Sequence, residues 1–193
     1  MDNVGVFITG VGGQGILLAS ELLSEVARLS GSDVKKSEIH GMAQRGGSVV
    51  GHVKFGEVVH SPIISEGEAD VLLSFEKLEA LRSINFLKPG GMIIVNDQQI
   101  DPAPVASGVM DYPDDVWDRI VKSFPNALLL DGMKLAKEAG NIRATNVVLL
   151  GALSRFLPFE KELWKSVIEK RVPPKTVEMN LNAFNLGRKA ADR

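Results

Sequence analysis

Hydrophobic residues fall in short strand-like runs separated by helical stretches over the first two thirds of the chain, after which only helical spacing remains. Residues 4–9 read as a buried strand, and beyond the glycine turn at 10–15 the residues Ile16, Ala19, Leu22, Leu23 and Val26 recur with the period of an amphipathic helix. Residues 34–38 have strand character but are too polar for the centre of a parallel sheet, where strands are nearly continuous Val, Ile and Leu, so they belong at an edge or on the rim of a site. Val49, Gly51, Val53 and Phe55 alternate with Val50, His52 and Lys54. Gly56-Glu57 then offers a glycine-first turn into residues 58–60, which predicts an antiparallel hairpin.

Strand, helix, turn and strand follow at 70–75, 76–87, 88–91 and 92–96. Residues 103–112 carry proline and glycine and predict an irregular connection with one short strand, before a helix at 114–123 and a strand at 127–131. From Met133 the pattern is helical: 147–156, capped by Thr145 or Asn146; 160–170; and a last helix from about Lys175. That helix docks Val177, Leu181 and Phe184 and leaves Arg188, Lys189 and Arg193 in water. The pattern predicts an α/β fold, a three-layer α/β/α Rossmann-like domain with a mostly parallel, mixed sheet and a helical C-terminal part. With no repeat, low-complexity tract or linker, residues 1–193 are expected to form one domain.

Composition narrows the function. The 193 residues are 45% hydrophobic, enough for one ordinary core. Charged residues make up 24%, the formal net charge is -2 and the pI is near 6.0, so there is no basic excess to track a phosphate backbone and nucleic acid is not an expected partner. No run approaches the roughly 18 apolar residues that span a bilayer, and Met1-Asp2-Asn3 lacks the basic-then-apolar start of a signal peptide; no membrane association is expected, and a cytoplasmic location is. The absence of cysteine removes disulfides, thiol catalysis and thiolate ligands for iron–sulfur clusters. A mean hydropathy of +0.07 suits a buried subunit interface as well as a tight core.

Gly10, Gly12 and Gly15, with Gly13 and Gln14 between them, have the spacing of a dinucleotide-binding turn between strand and helix. Glycines there allow a tight bend and let backbone N–H groups approach an anion at the positive helix end. The same glycines also serve a plain close crossover. A nicotinamide site further wants an acidic residue about 20 positions on, and Asp33 and Glu38 are near enough, but Lys35-Lys36-Ser37 precedes Glu38 where an apolar strand is required. The segment 38–48 has no period yet concentrates His40, Gln44, Arg45, Gly46, Gly47 and Ser48, a combination suited to a surface contact. Arg45 beside two glycines can offer a fork of donors to a carboxylate or phosphate. In a wound sheet this loop and the glycine turn leave at the same end and face one crevice. His40, His52 and His60 have no metal-ligand or nucleophile–base spacing, and structural roles are expected for His52 and His60. Glu66, Glu68 and Asp70 read as a solvated turn, and no serine has a nucleophile-elbow setting.

Several phrases together resemble the gamma-type domain of 2-oxoacid:ferredoxin oxidoreductases: the 10–15 glycine turn, His40-Gly41-Met42-Ala43-Gln44-Arg45-Gly46-Gly47-Ser48, Ser61-Pro62-Ile63-Ile64, the 146–153 run and Val172-Pro173-Pro174-Lys175. The resemblance spans nearly the whole chain. The glycine turn is shared widely, whereas the 40–48 phrase is the specific part and is most similar to indolepyruvate:ferredoxin oxidoreductase beta subunits. The resemblance implies a small subunit that is inactive alone and completes a large subunit. That partner would carry thiamine diphosphate, magnesium and iron–sulfur clusters, convert an arylpyruvate to an acyl-coenzyme A and pass electrons to ferredoxin, while this chain would bind no metal. Gly10, Gly12, Gly13, Gln14, Gly15, His40, Gln44, Arg45, Gly46, Gly47 and Ser48 are the expected site-completing residues, with no catalytic residue among them. Two alternatives stay open: a free-standing NAD(P)-dependent oxidoreductase, and an accessory module that binds coenzyme A or another anion.

Overall fold

The computed structural model describes residues 3–41 and 46–192, apart from the His40 side chain. Six strands, β1 (Val4–Val11), β2 (Asp33–His40), β3 (Ser48–Gly56), β4 (Ala69–Ser74), β5 (Leu87–Asn96) and β6 (Leu128–Leu130), form one sheet in the order β2-β3-β1-β4-β5-β6. β1, β4, β5 and β6 are parallel neighbours, and β3 runs antiparallel between β1 and β2. The helices are α1 (Ile16–Leu29), α2 (Lys77–Arg82), α3 (Ala103–Ala106), α4 (Val116–Ser123), α5 (Gly132–Ala139), α6 (Thr145–Leu153), α7 (Lys161–Arg171) and α8 (Val177–Ala190).

The central strands are apolar on both faces because helices cover both. Val6 and Ile8 of β1 face a core shared with α1, α6, α7 and α8, while Phe7 faces a second core with Leu78 of α2 and Val116 and Ile120 of α4. This is the expected three-layer α/β/α arrangement. α6 is buried on every side from Asn146 to Leu153, as an all-round apolar helix must be. Its approach to α8 needs two glycines: a Cβ on Gly151 would lie 2.2 Å from the Phe184 carbonyl oxygen, and one on Gly187 would lie 1.9 Å from that of Val148.

The polar strand at 34–38 is β2, and it lies at the sheet edge as its composition requires. The antiparallel partners of β3 are β1 and β2 and not residues 58–60, which form no strand; β2 and β3 are the consecutive antiparallel pair, and the Asp33 carboxylate instead accepts from the Val59 N–H at 2.9 Å. Residues 103–112 contain the short α3 and no strand, because Pro102 starts a single helical turn. Lys88 to Gly91 continue β5 through an irregularity against β4, where a turn was expected. Asp70 belongs to β4 and accepts from the Gly5 N–H at 2.7 Å, so it is not part of a solvated turn. Neither Thr145 nor Asn146 caps α6, which begins at Thr145 without a side-chain cap. Arg188 is partly buried against Phe184 and donates to the Ser154 hydroxyl at 2.7 Å, rather than standing in water.

Candidate binding site at the glycine turn

Parallel strands end together, so the turns after β1, β4 and β5 open on one edge of the sheet. β1 leads through α1 toward β2 on one side, while β4 leads through α2 to β5 on the other, and a crevice opens between β1 and β4 where the direction of winding reverses. Gln14 fills its root. The Phe75 N–H donates to the Thr9 carbonyl as the last bond of the β1–β4 ladder, and the next would join the Val11 N–H to the Phe75 carbonyl. The Gln14 carboxamide takes that place: its Oε1 accepts from the Val11 N–H at 2.7 Å, and its Nε2 donates to the Phe75 carbonyl at 2.8 Å and to Gln98 Oε1 at 2.9 Å. A side-chain amide thus acts as an inserted peptide unit, letting the strands part without orphaning their backbone groups.

The glycines of the turn have separate causes. At Gly10 a Cβ would lie 2.7 Å from both Gln14 Oε1 and the Phe75 Cβ; Gly13 and Gly15 have φ of 103° and 84°. A Cβ on Gly15 would also lie 2.8 Å from Asn146 Nδ2. The Gly12 N–H donates to the Gly47 carbonyl at 2.9 Å, which joins the glycine turn to the second loop. That loop is closed at its base by the Gly41 N–H to Ser48 carbonyl bond of 3.0 Å, and Gly46 turns through φ 81°. The Ser48 hydroxyl donates to the buried Glu79 of α2 at 2.6 Å, and Arg82 holds the other oxygen of that carboxylate at 2.6 Å.

The structure therefore brings Gly10, Gly12, Gly13, Gln14 and Gly15 together with Gly46, Gly47 and Ser48. His40 ends β2 beside them; Gln44 and Arg45 lie outside the described residues. Beyond the turn, a cleft of about 450 Å³ is lined by Gly13 and Gly15, by Phe75 and Gln98, and by Arg143 and Thr145 from the start of the helical region. None of the last four was expected at the site, because Phe75 and Gln98 reach it from the ends of β4 and β5 and Arg143 and Thr145 from the start of α6. The buried Glu76 beside this edge accepts from the Glu79 N–H, the Ile100 N–H and the Tyr112 hydroxyl, tying the connection after β5 to α2. Burial, and then the hydrogen bond to Glu76, push the Tyr112 phenol well above its usual pKa.

The geometry departs from a nicotinamide site. β3 stands between β1 and β2, so Glu38 is two strand spacings, roughly 10 Å, from the glycine turn. Its carboxylate meets Ser20 at 2.5 Å and Lys36 at 3.1 Å. Asp33 lies at the opposite end of β2. His52 is buried, accepts from the Ile64 N–H through Nδ1 at 3.2 Å and packs edge-on to Phe7, a structural role. Burial, with a smaller contribution from Lys54, holds its pKa below the usual histidine value. Among the described residues no three His, Asp or Glu side chains are grouped to hold a metal ion, and the sequence has no cysteine to bind an iron–sulfur cluster. No helix of the described residues is long and apolar enough to cross a membrane.

The family described as pyruvate ferredoxin/flavodoxin oxidoreductase matches residues 5–190. Indolepyruvate oxidoreductase subunit IorB of Thermococcus kodakarensis is 48% identical over 99% of this chain and 97% of its own length. The subunit of the same name from Archaeoglobus fulgidus is 38% identical over 96% and 94%. Among solved structures, the gamma subunit of a keto/oxoacid ferredoxin oxidoreductase from Geobacter sulfurreducens shares the fold with a TM-score of 0.72, at 24% identity over 97% of this chain and 98% of that one. A 2-oxoglutarate:ferredoxin oxidoreductase from Magnetococcus marinus, with 2-oxoglutarate, coenzyme A and succinyl-CoA bound, has a TM-score of 0.73 at 19% identity. The match covers 99% of this chain and 31% of that longer one.

Proposed function

This chain belongs to the pyruvate ferredoxin/flavodoxin oxidoreductase family, and from that premise we propose that it is the small subunit of a 2-oxoacid:ferredoxin oxidoreductase of indolepyruvate type, with its glycine-lined face completing the large subunit's active site. The observation that carries the role of this face is the 2.9 Å bond from the Gly12 N–H to the Gly47 carbonyl, which joins the glycine turn to residues 46–48. Three apolar side chains flank it: Ile39 is 55% exposed, and Leu17 and Ile142 are each 41% exposed. Their exposure suits burial against another subunit.

On this reading the large subunit holds thiamine diphosphate, magnesium and the iron–sulfur clusters, and coenzyme A receives the acyl group. Thiamine diphosphate there supplies the stabilised carbanion chemistry of decarboxylation. The contribution of this chain is positional. Gln14 holds the ends of β1 and β4 apart, Glu79 anchors Ser48, and the joined loops exclude water from the partner's reacting centre. Residues 1–193 act as one gamma-type domain, the assembled enzyme reduces ferredoxin, and it works in the cytoplasm.

Reconstitution tests the proposal. The purified chain alone should show no arylpyruvate-dependent ferredoxin reduction, and adding it to the purified large subunit should restore full turnover. Full turnover by the large subunit alone would refute the role.

A further inference from the structure

We infer that the connection after β5, residues 97–115, is a docking arm whose exposed Val109 and Met110 seat in an apolar pocket rimmed by basic side chains on the large subunit. The inference rests on the proposed role of the glycine-lined face, and it adds a contact surface outside the site-completing residues.

The arm springs from the edge of the sheet that carries the glycine turn. Gln98, near its start, meets Gln14 at 2.9 Å at the root of the crevice, and its backbone carbonyl accepts from the Lys77 N–H at 3.0 Å. Farther along, the Ile100 N–H and the Tyr112 hydroxyl both donate to Glu76, at 3.3 and 2.7 Å. Glu76 is 1% exposed, and a buried carboxylate is costly unless hydrogen bonds satisfy it. These two bonds clamp the two sides of a surface connection, so the base of the arm is fixed to the start of α2.

Between the clamps the backbone closes on itself. Pro102 opens the single turn of α3, Gly108 reverses the chain at φ 73°, and the N–H groups of Val109 and Met110 both return to the Pro104 carbonyl, at 2.9 and 3.1 Å. Val109 is 76% exposed and Met110 62%, the two highest values among the large hydrophobic residues described. Single exposed apolar residues are ordinary. Two in succession on a hydrogen-bonded turn that buries neither leave apolar area for a partner to cover. Methionine adapts to an irregular pocket, which suits a contact surface.

Charge identifies the partner. Residues 101–118 contain Asp101, Asp111, Asp114, Asp115 and Asp118 and no Lys or Arg, although in the rest of the chain basic residues outnumber acidic ones. Of these five, only Asp115 has an ion-pair partner among the described residues, Arg119 at 4.0 Å. In a two-fold contact a second copy would bring a like-charged arm against this one, which is unfavourable. An apolar pocket with a basic rim is complementary to the arm. The large subunit, which on the proposed reading covers the adjoining glycine face, is the partner within its reach.

Binding of the full chain to the purified large subunit, followed by interferometry over a salt series, tests the inference. Val109→Ser combined with Met110→Ser should weaken binding at least about tenfold, chiefly through faster dissociation, and leave Tm unchanged because neither side chain is buried. Asp111→Asn combined with Asp114→Asn should slow association and flatten its decline with added salt. Unchanged affinity in the serine variant would overturn the inference. So would a wild-type association rate and salt dependence in the asparagine variant, or a dimer of the chain alone that the serine variant abolishes. A serine variant that binds and restores turnover as wild type does condemns the arm and spares the proposed role, whereas a wild-type chain that does not bind the large subunit removes both.

Discussion

Replacing Gln14 separates a residue that shapes the site from one that touches a ligand. In Gln14→Leu the Val11 N–H loses its side-chain acceptor, whereas the Phe75 carbonyl and Gln98 Oε1 each keep a donor in Asn96 Nδ2, at 3.1 and 3.0 Å. An unsatisfied buried donor costs about 1–3 kcal/mol, and a lost bond whose acceptor stays satisfied costs nearer 0.5 kcal/mol, the low end of the usual net value. Gln14 is only half-buried, and water entering at the turn lowers the first figure, which leaves about 2 kcal/mol. For a chain of this length each kcal/mol moves Tm by roughly 2–4 °C, so the expected loss is about 4–8 °C by calorimetry or circular dichroism. Gln14→Glu should be at least as damaging at neutral pH, because it sets a carboxylate oxygen against the Phe75 carbonyl and Gln98 Oε1. The introduced carboxyl would have a raised folded pKa; its protonated form can donate, so its deficit should shrink as pH falls toward 5 and grow as pH rises. Wild-type thermal stability in Gln14→Leu, with activity alone reduced, would refute the inserted-peptide role and make Gln14 a ligand contact.

Gly187→Ala should lower stability by about 3 kcal/mol, the upper end of overpacking costs. Its Cβ would meet the Val148 backbone oxygen at 1.9 Å and α8 must move off α6; a urea midpoint equal to wild type would contradict the packing account. Burial depresses the folded pKa of His52, so its contribution is fully present above the unfolded value of about 6.5 and is lost as pH falls through the folded value. Urea midpoints should fall on the acid side in the wild type, with a smaller fall in His52→Gln; equal pH slopes would refute this. Tyr112 is the only tyrosine, so an ultraviolet titration reads it alone: tyrosinate absorbance should be missing at pH 10 in the folded chain and appear at that pH in 8 M-range denaturant, roughly at the ordinary value of about 10. Its raised pKa makes the stabilisation present below pH of about 10 and lost as pH rises further, and Tyr112→Phe should cost about 1–2 kcal/mol by removing the shorter of the two bonds to Glu76 Oε1, which keeps only the Ile100 N–H; no change in stability would discount that bond.

What the sequence determined by itself is local or periodic. The apolar runs of β1, β4 and β5 marked strands covered on both faces, Lys35 and Lys36 put β2 at the edge, and the 40–48 phrase identified the family that the comparisons support. Each signal lies within a few consecutive residues, where period and composition report on burial. Pairing is different, because a strand's composition states that it needs a partner without stating which. Val58 to His60 alternate well enough to pair with β3, yet the chain chose β2, which places eight register pairs against β3 from Asp33 to His40. Tertiary structure alone decided the cleft as well. Gln14, Phe75 and Gln98 are far apart in sequence and meet because β1, β4 and β5 end on one edge, and Arg143 joins them from the turn before α6, so the side-chain amide that replaces a ladder bond exists only once the strands are assembled.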